Sequence, residues 1–183
     1  MGDEGSGQDI GRLGLAAVTR AHDGRGPATS LVGRALARYG IDTPDDLRSV
    51  MYRQPVNNRD IADFCLDVVA AAQEGDAVAL RIMEHAGREL ALTACAAARA
   101  LGMETGEFPV ALCGGVFRAG DVVLDPFRGE LAKLAPGARA VKAPYPPVVG
   151  SVILALLRAG VECDETVRRR LVESWKEVEK RYE

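Results

Sequence analysis

Almost the whole chain consists of helix-length segments separated by glycine, proline and capping residues, and this punctuation restricts the fold to a helix-rich one. The pattern predicts helices over residues 8–22, 29–39, 59–73, 77–101, 125–134, 148–159 and 164–183, with a short one from Thr43. In the longest helix, one apolar face is expected from Leu80, Met83, Ala86, Leu90, Thr93 and Ala97.

One segment departs from the helical pattern. Residues 108–113 form a continuous apolar run that ends in Gly114 and Gly115, which is typical of a buried strand followed by a tight turn. Residues 138–143 suit a second strand, separated from the first by a predicted helix. We therefore expect a helix-rich α/β fold with a small sheet built on a β-α-β unit.

Composition excludes several classes of protein. With 183 residues, 48% hydrophobic and 27% charged, the chain suits one globular domain over residues 1–183. No apolar run reaches the length of a membrane span, and the acidic, glycine-rich start differs from a secretory signal, so we expect a cytoplasmic protein without a membrane partner. A net charge of −3 and 5% aromatic residues argue against nucleic acid as a partner.

The cysteines and histidines do not predict a metal site. The four cysteines lack any C-x-x-C spacing, and neither histidine has a second ligand at metal spacing. We interpret the cysteines as small apolar core residues rather than as a disulfide framework.

Three segments could carry chemistry. Residues 2–7, Gly-Asp-Glu-Gly-Ser-Gly, place two carboxylates at the entrance to a helix, where they could accept hydrogen bonds from sugar hydroxyls or simply cap the helix. Gly114 and Gly115 could let a ligand lie against bare backbone, or could only form a turn. Gly150, in the first turn of a helix, permits close approach of a phosphate, a sheet or another helix.

Taken in this order, the segments resemble the C-terminal half of the BadF/BadG/BcrA/BcrD ATPase family, in its N-acetylglucosamine and glucosamine kinase branch. Residues 2–7 are similar to the family's G-D-E-G-S-G segment, and residues 23–27 to its D-G-R-G-P turn. Residues 112–117 resemble the adenosine motif, and residues 147–151 resemble the closing P-x-x-G-A/S helix.

The resemblance implies a partial RNase H-like domain of the actin and hexokinase type, with an inserted helical bundle. In this fold two such domains close over ATP and Mg²⁺, and a sugar hydroxyl attacks the γ-phosphate. By resemblance, Asp3 contacts the amino sugar while Glu4 and Ser6 hold the loop. Adenosine would lie against residues Gly114, Gly115 and Val116 and against the helix that contains Gly150.

The family's N-terminal domain, with its D-G-G-G-T-K-T hairpin and catalytic aspartate, has no counterpart in these 183 residues, nor has its G-T-G-S segment. We therefore expect the second half of an amino-sugar kinase, without a catalytic residue of its own and inactive in isolation. The family's iron–sulfur branch is not favoured, because no cysteine stands in a comparable motif. The alternative is a non-catalytic interaction module that uses its surface, for example the helix of Trp175, to form a homodimer.

Overall fold

The computed structural model describes residues 2–52, 58–103 and 105–181 and shows a helix-rich α/β fold. The helices are α1 (Gly7–His22), α2 (Leu31–Tyr39), α3 (Leu47–Met51), α4 (Asn58–Asp63), α5 (Cys65–Gln73), α6 (Ala77–Ala100), α7 (Asp121–Leu134), α8 (Pro147–Arg158) and α9 (Glu165–Glu179). Two short 3-10 helices, Pro44–Asp46 and Val116–Ala119, precede α3 and α7. No described helix is both long and apolar enough to cross a membrane.

Strands β1 (Phe108–Leu112) and β2 (Ala138–Lys142) pair in a small parallel sheet, and α7 connects them. The Phe108 amide donates to the carbonyl oxygen of Gly137 at 3.2 Å, at the start of both strands. The predicted β-α-β unit is therefore confirmed.

The chain divides into two compact units. The first comprises Met1–Val110 and Gly114–Ala140, and the second comprises Ala111–Cys113 and Val141–Glu183. The expectation of one domain over 1–183 stays a prediction.

Helix α1 lies at the centre of the first unit, where it packs against α2, α4, α5 and α6. Glycines on α1 permit this close packing: a Cβ on Gly11 would overlap the carbonyl oxygen of Ile61, and one on Gly14 would lie 2.5 Å from Cγ2 of Val68. Ile10 and Val18 on α1 are fully buried. These glycines therefore set how closely α1 approaches α4 and α5.

The helix predicted over residues 59–73 is in fact two helices, because α4 ends at Asp63 and α5 begins at Cys65. At the break the Phe64 amide donates to the carbonyl of Ile61, three residues back, as in a 3-10 turn. This is the carbonyl against which Gly11 packs, so the break lies where α1 approaches most closely. The preceding segment 53–57 lies outside the described residues.

The predicted apolar face of α6 is also wrong in part, because Leu80, Thr93 and Ala97 are exposed. The buried face instead contains Val78, Ala79, Ile82, Met83, Ala86, Gly87, Ala91, Cys95 and Ala98. Small residues determine which face of α6 is buried. A Cβ on Gly87 would lie 2.6 Å from the carbonyl oxygen of Val123 on α7. Close packing of α6 on α7 thus selects the alanine and glycine face over the leucine face.

Helix α7 begins at Asp121, four residues before the predicted start at Asp125. Pro126 lies inside the helix rather than in its first turn. Gly120, with φ +77° and ψ −148°, precedes the helix and ends the 3-10 helix before it. Proline was therefore an incorrect marker of the helix start.

The prediction of a buried strand is wrong in part for β1, because only Phe108 is buried and the residues after it are half-buried or exposed. Cys113, directly after the strand, is exposed, whereas Cys65, Cys95 and Cys163 are buried. Burial raises the pKa of the Cys65 thiol to about 11, which makes it unreactive at neutral pH. The interpretation as core residues thus holds for three of the four cysteines.

The second unit pairs α8 with α9. Asp164 caps α9 by accepting a hydrogen bond from the Val167 amide at 2.8 Å. A narrow apolar groove between the helices is lined by Val148, Val149, Val152, Leu171, Ser174, Trp175 and Val178. The predicted amphipathic C-terminal helix therefore places one stripe against α8, although none of its residues is fully buried.

Candidate functional site

The Asp3–Ser6 segment forms a tight turn in front of α1. The Ser6 amide donates to the carbonyl oxygen of Asp3 at 3.0 Å, and Gly5, the third residue of the turn, has φ +78°. A positive φ at this position is typical of a type II turn and favours glycine. Gly5 is also buried, and a Cβ there would lie 2.7 Å from the carbonyl oxygen of Ala86 on α6. Gly5 therefore fixes the turn against the body of the first unit.

Ser6 is the N-cap of α1, as one of the alternatives for residues 2–7 predicted. Its hydroxyl accepts a hydrogen bond from the Asp9 amide at 3.1 Å. In return, Oδ2 of Asp9 accepts a hydrogen bond from the Gly5 amide at 3.1 Å. This reciprocal arrangement resembles a capping box, with the acid reaching one residue further back than usual. The cap and the turn are thus held by the same pair of side chains.

Asp3 and Glu4 are exposed and line a small groove of about 200 Å³ together with Gln8, Asp9 and Arg12. Nη2 of Arg12 lies 2.7 Å from Oδ1 of Asp9. The groove therefore presents two exposed carboxylates, one guanidinium and one amide, with the largely buried Asp9 beside them. Such groups can donate to and accept from the hydroxyl and amide groups of a small polar ligand.

Sequence reasoning named Asp3, Glu4 and Ser6 but missed Asp9, and it gave no role to Arg12. A signal for Asp9 was present, because serine followed three residues later by an acid is a capping-box pattern. That pattern predicts a cap but not burial, and Asp9 is only 9% exposed. Only the packing of Gly5 on α6 shows that this acid lies beneath the turn.

The second predicted segment, Gly114 to Val116, follows β1. Gly114 has φ +110°, whereas Gly115 has an ordinary φ of −66° and precedes the 3-10 helix that begins at Val116. Among the described residues, no atom beyond the chain neighbours lies within 4 Å of a Cβ placed on either glycine. Val116 is half-buried and packs against the core of the first unit. The backbone at both glycines is thus open, which fits a ligand lying against it.

We expect substitutions at these two glycines to differ in their effect on stability. Gly114→Ala should destabilise the first unit by about 1 kcal/mol, because alanine rarely adopts a positive φ. Gly115→Ala should leave the melting temperature almost unchanged, since its φ is ordinary and its surroundings are open. Thermal melts of both variants test this, and equal destabilisation would contradict the assigned backbone geometry.

Gly150 lies in the first turn of α8, and its amide donates to the carbonyl oxygen of Pro146 at 3.1 Å. In the described part of the chain, no atom apart from the nearby backbone of α8 and the chain neighbours lies within 4 Å of a Cβ placed there. Within the second unit, the structure therefore shows no helix packed against Gly150. Its assignment to a nucleotide site stays a prediction, as does that of Gly114, Gly115 and Val116 in the first unit.

Within the described part of the chain, no group of His, Cys, Asp and Glu side chains is arranged to hold a metal ion. Nε2 of His22 lies 3.3 Å from Oδ2 of Asp45, and Nδ1 of His85 lies 3.9 Å from Oε1 of Glu89.

Comparison with known proteins decides the family. The sequence profile of the BadF/BadG/BcrA/BcrD ATPase family matches residues 1–155. The chain belongs to this family. The match includes the Asp3–Ser6 turn, the glycine turn and Gly150, so every candidate site residue of this ATPase-family chain lies within it.

Two relatives of this BadF/BadG/BcrA/BcrD chain are named as N-acetylglucosamine kinases. It is 33% identical over 164 residues to the N-acetylmuramic acid/N-acetylglucosamine kinase of Clostridium acetobutylicum. The matched region covers 90% of this chain and 52% of the relative. It is 28% identical over 158 residues to the N-acetyl-D-glucosamine kinase of Dictyostelium discoideum, covering 85% of this chain and 50% of the relative.

A crystal structure from Chromobacterium violaceum, of a protein assigned as an N-acetylglucosamine kinase, has a similar fold. The TM-score is 0.53 and the identity 27%, over 77% of this chain and 44% of that one. The chain thus spans about half the length of the curated relatives it matches.

Proposed function

We propose that this chain carries the sugar and adenosine contacts of an ATP-dependent kinase of N-acetylglucosamine or glucosamine, and that it corresponds to the C-terminal half of such an enzyme. The observation that carries the proposal is the Asp3–Ser6 turn, which presents two exposed carboxylates at a small groove lined by polar side chains. The matches to N-acetylglucosamine kinases over 90% and 85% of the chain support this choice of ligand.

Each residue of the turn has a proposed role. Asp3 accepts hydrogen bonds from sugar hydroxyls, because an ionised carboxylate is a strong acceptor with several lone pairs. Ser6 holds the loop through its cap on α1. Glu4 is predicted to be part of the sugar-binding segment and to hold the loop, and its exposure beside Asp3 in the groove supports a direct sugar contact.

Adenosine is proposed to lie against the open backbone of Gly114, Gly115 and Val116. A nucleotide contact at Gly150, in the first turn of α8 in the second unit, is a separate proposal. When bound, ATP supplies the phosphoryl group, and Mg²⁺ neutralises charge on the phosphates. This chain's own residues bind and orient the two substrates. The residues that grip the phosphates and remove the proton from the sugar hydroxyl belong to the D-G-G-G-T-K-T half, which these 183 residues do not contain.

The isolated 183-residue chain is expected to show no sugar-dependent formation of ADP above background. The reason is that phosphoryl transfer depends on groups that position the γ-phosphate and neutralise its charge. A coupled assay with glucosamine and with N-acetylglucosamine measures this, with the Clostridium relative as the active control. Robust sugar-dependent turnover by the chain alone would show that the proposed division of labour is wrong.

A second candidate function, a non-catalytic interaction module, is favoured by the surface of α8. Leu154 and Leu157 on this helix are 69% and 50% exposed, and Arg158 is the only charged residue among its twelve. Helices this apolar are usually covered. Self-association in sedimentation analysis, combined with no binding of sugar in NMR titration, would favour this function over the kinase.

A further inference from the structure

We propose that Asp9 is a positioning residue that holds the sugar-contacting turn, and that Arg12 holds the Asp9 carboxylate in place. The inference rests on the proposed function, because it concerns how Asp3 and Glu4 are presented to the sugar. The inference goes beyond the proposed function, because it assigns a role in sugar affinity to a residue that need not touch the sugar.

The contacts of Asp9 use both of its carboxylate oxygens. Oδ2 accepts a hydrogen bond from the Gly5 amide at 3.1 Å, and Oδ1 accepts one from Nη2 of Arg12 at 2.7 Å. Asp9 is 9% exposed, whereas the Arg12 side chain is 64% exposed. Little of Asp9 is therefore available to a ligand, and its main effect is on the turn above it.

The turn needs such an anchor because of its charges. Asp3 and Glu4 are adjacent carboxylates, and they repel each other and the buried Asp9. Arg12 offsets one of these three charges, and a buried carboxylate with no partner would be strongly unfavourable. The Asp9 to Gly5 hydrogen bond joins the middle of the turn to α1, so the turn keeps one conformation before any ligand arrives.

This anchor also explains why Gly5 is pressed on α6. The contact of Gly5 with Ala86 and Leu90 restrains the turn from one side, and Asp9 restrains it from the other. Binding a sugar to a preorganised turn avoids the entropy cost of ordering it. Loss of the Asp9 bond should therefore appear as a loss of sugar affinity as well as a loss of stability.

The test uses the 183-residue chain, N-acetylglucosamine as the probe, and amide NMR titration to measure the dissociation constant. Asp9→Ala should raise this constant at least about fivefold, since hydrogen bonds to charged groups are among the stronger ones. Amide exchange at Gly5 should become faster in the same variant. Asp9→Asn keeps an oxygen for the Gly5 amide but loses the charge and the bond from Arg12, so it should restore only part of the affinity.

Thr43→Ala is the matched control, because it removes the cap of another helix in the first unit without touching the groove. It should lower stability and leave the dissociation constant unchanged. If Asp9→Ala does not fold, Asp9→Glu carries the test: it keeps the charge but displaces the oxygens by one methylene, and the same loss of affinity is expected.

The outcomes separate this inference from the proposed function. If Asp3→Asn weakens sugar binding while folded Asp9 variants bind as the unmodified chain does, the positioning role is wrong and the sugar site stands. If the unmodified chain does not bind the sugar, or Asp3→Asn has no effect, the proposed sugar site is wrong and the positioning role with it.

Discussion

An alanine at Gly11 should destabilise the first unit by about 3 kcal/mol or more, at the upper end of overpacking effects. A Cβ at this position would overlap the carbonyl oxygen of Ile61, and it would also crowd the backbone nitrogen of Cys65 at 3.4 Å. Backbone atoms in a packed helix cannot move aside as the end of a flexible side chain can. Urea unfolding followed by circular dichroism measures the loss.

Gly33→Ala is the matched control, because Gly33 also lies inside a helix, α2, but a Cβ placed on it would contact no described atom within 4 Å outside the nearby backbone of α2 and the chain neighbours. Alanine has the higher helix propensity, so this variant should gain about 0.5–1 kcal/mol. Opposite signs for the two substitutions would show that contact with α4, and not helix propensity, determines the requirement at Gly11. Equal stability of the two variants would contradict the packing of α1 on α4.

The second large effect is expected at Asp76, where Asp76→Ala should cost about 2–4 kcal/mol, the sum of a helix cap and several bonds to a charged group. Oδ1 of Asp76 caps α6 by accepting the amides of Val78 at 2.9 Å and Ala79 at 3.0 Å. Oδ2 accepts a hydrogen bond from the Ser30 amide at 2.7 Å. The Thr29 hydroxyl donates to the carboxylate and lies 3.0 Å from each of its oxygens. One side chain thus joins the start of α6 to the start of α2.

The control for Asp76 is again Thr43→Ala, whose hydroxyl caps only its own short helix. It should cost about 1 kcal/mol, as is typical for a cap. If Asp76→Ala costs no more than this, the bonds to Thr29 and Ser30 contribute nothing measurable.

The same residue predicts how stability depends on pH. Burial raises the pKa of Asp76, but hydrogen bonds from Ala79, Ser30 and Thr29 lower it by more, to about 2. Because the pKa is below its ordinary value of 3.8, the folded state favours the charged form. The contribution, up to about 2 kcal/mol, is present above pH 4 and is lost as the pH falls through about 2. Acid titration of Asp76→Asn should lack this component.

Local signals in the sequence predicted much of the secondary structure. The ends of α1, α2 and α6 were predicted within one or two residues, because Ser6, Gly40 and Asp76 act on neighbouring backbone groups. The two strands were predicted from apolar runs that end at turn residues, which are also local signals. Short motifs indicated residues 2–7 and the two glycine segments as candidate sites, and resemblance to the ATPase family gave each of them an expected ligand.

Errors arose where a distant segment overrides the local pattern. Apolar periodicity does not register the contact of Gly11 with Ile61, where one predicted helix becomes α4 and α5. Nor does it register the contact of Gly87 with α7, which buries the small face of α6 and leaves Leu80 exposed.

The sequence by itself therefore determined the helices, their caps, the β-α-β order and the family, since these depend on neighbouring residues and on short motifs. Only the tertiary structure decided which helix faces are buried, that Gly5 lies against α6, and that Asp9 is the buried anchor of the turn. The physical reason is range: caps and turns are formed by hydrogen bonds across a few residues, whereas burial and close backbone contact depend on segments far apart in the chain.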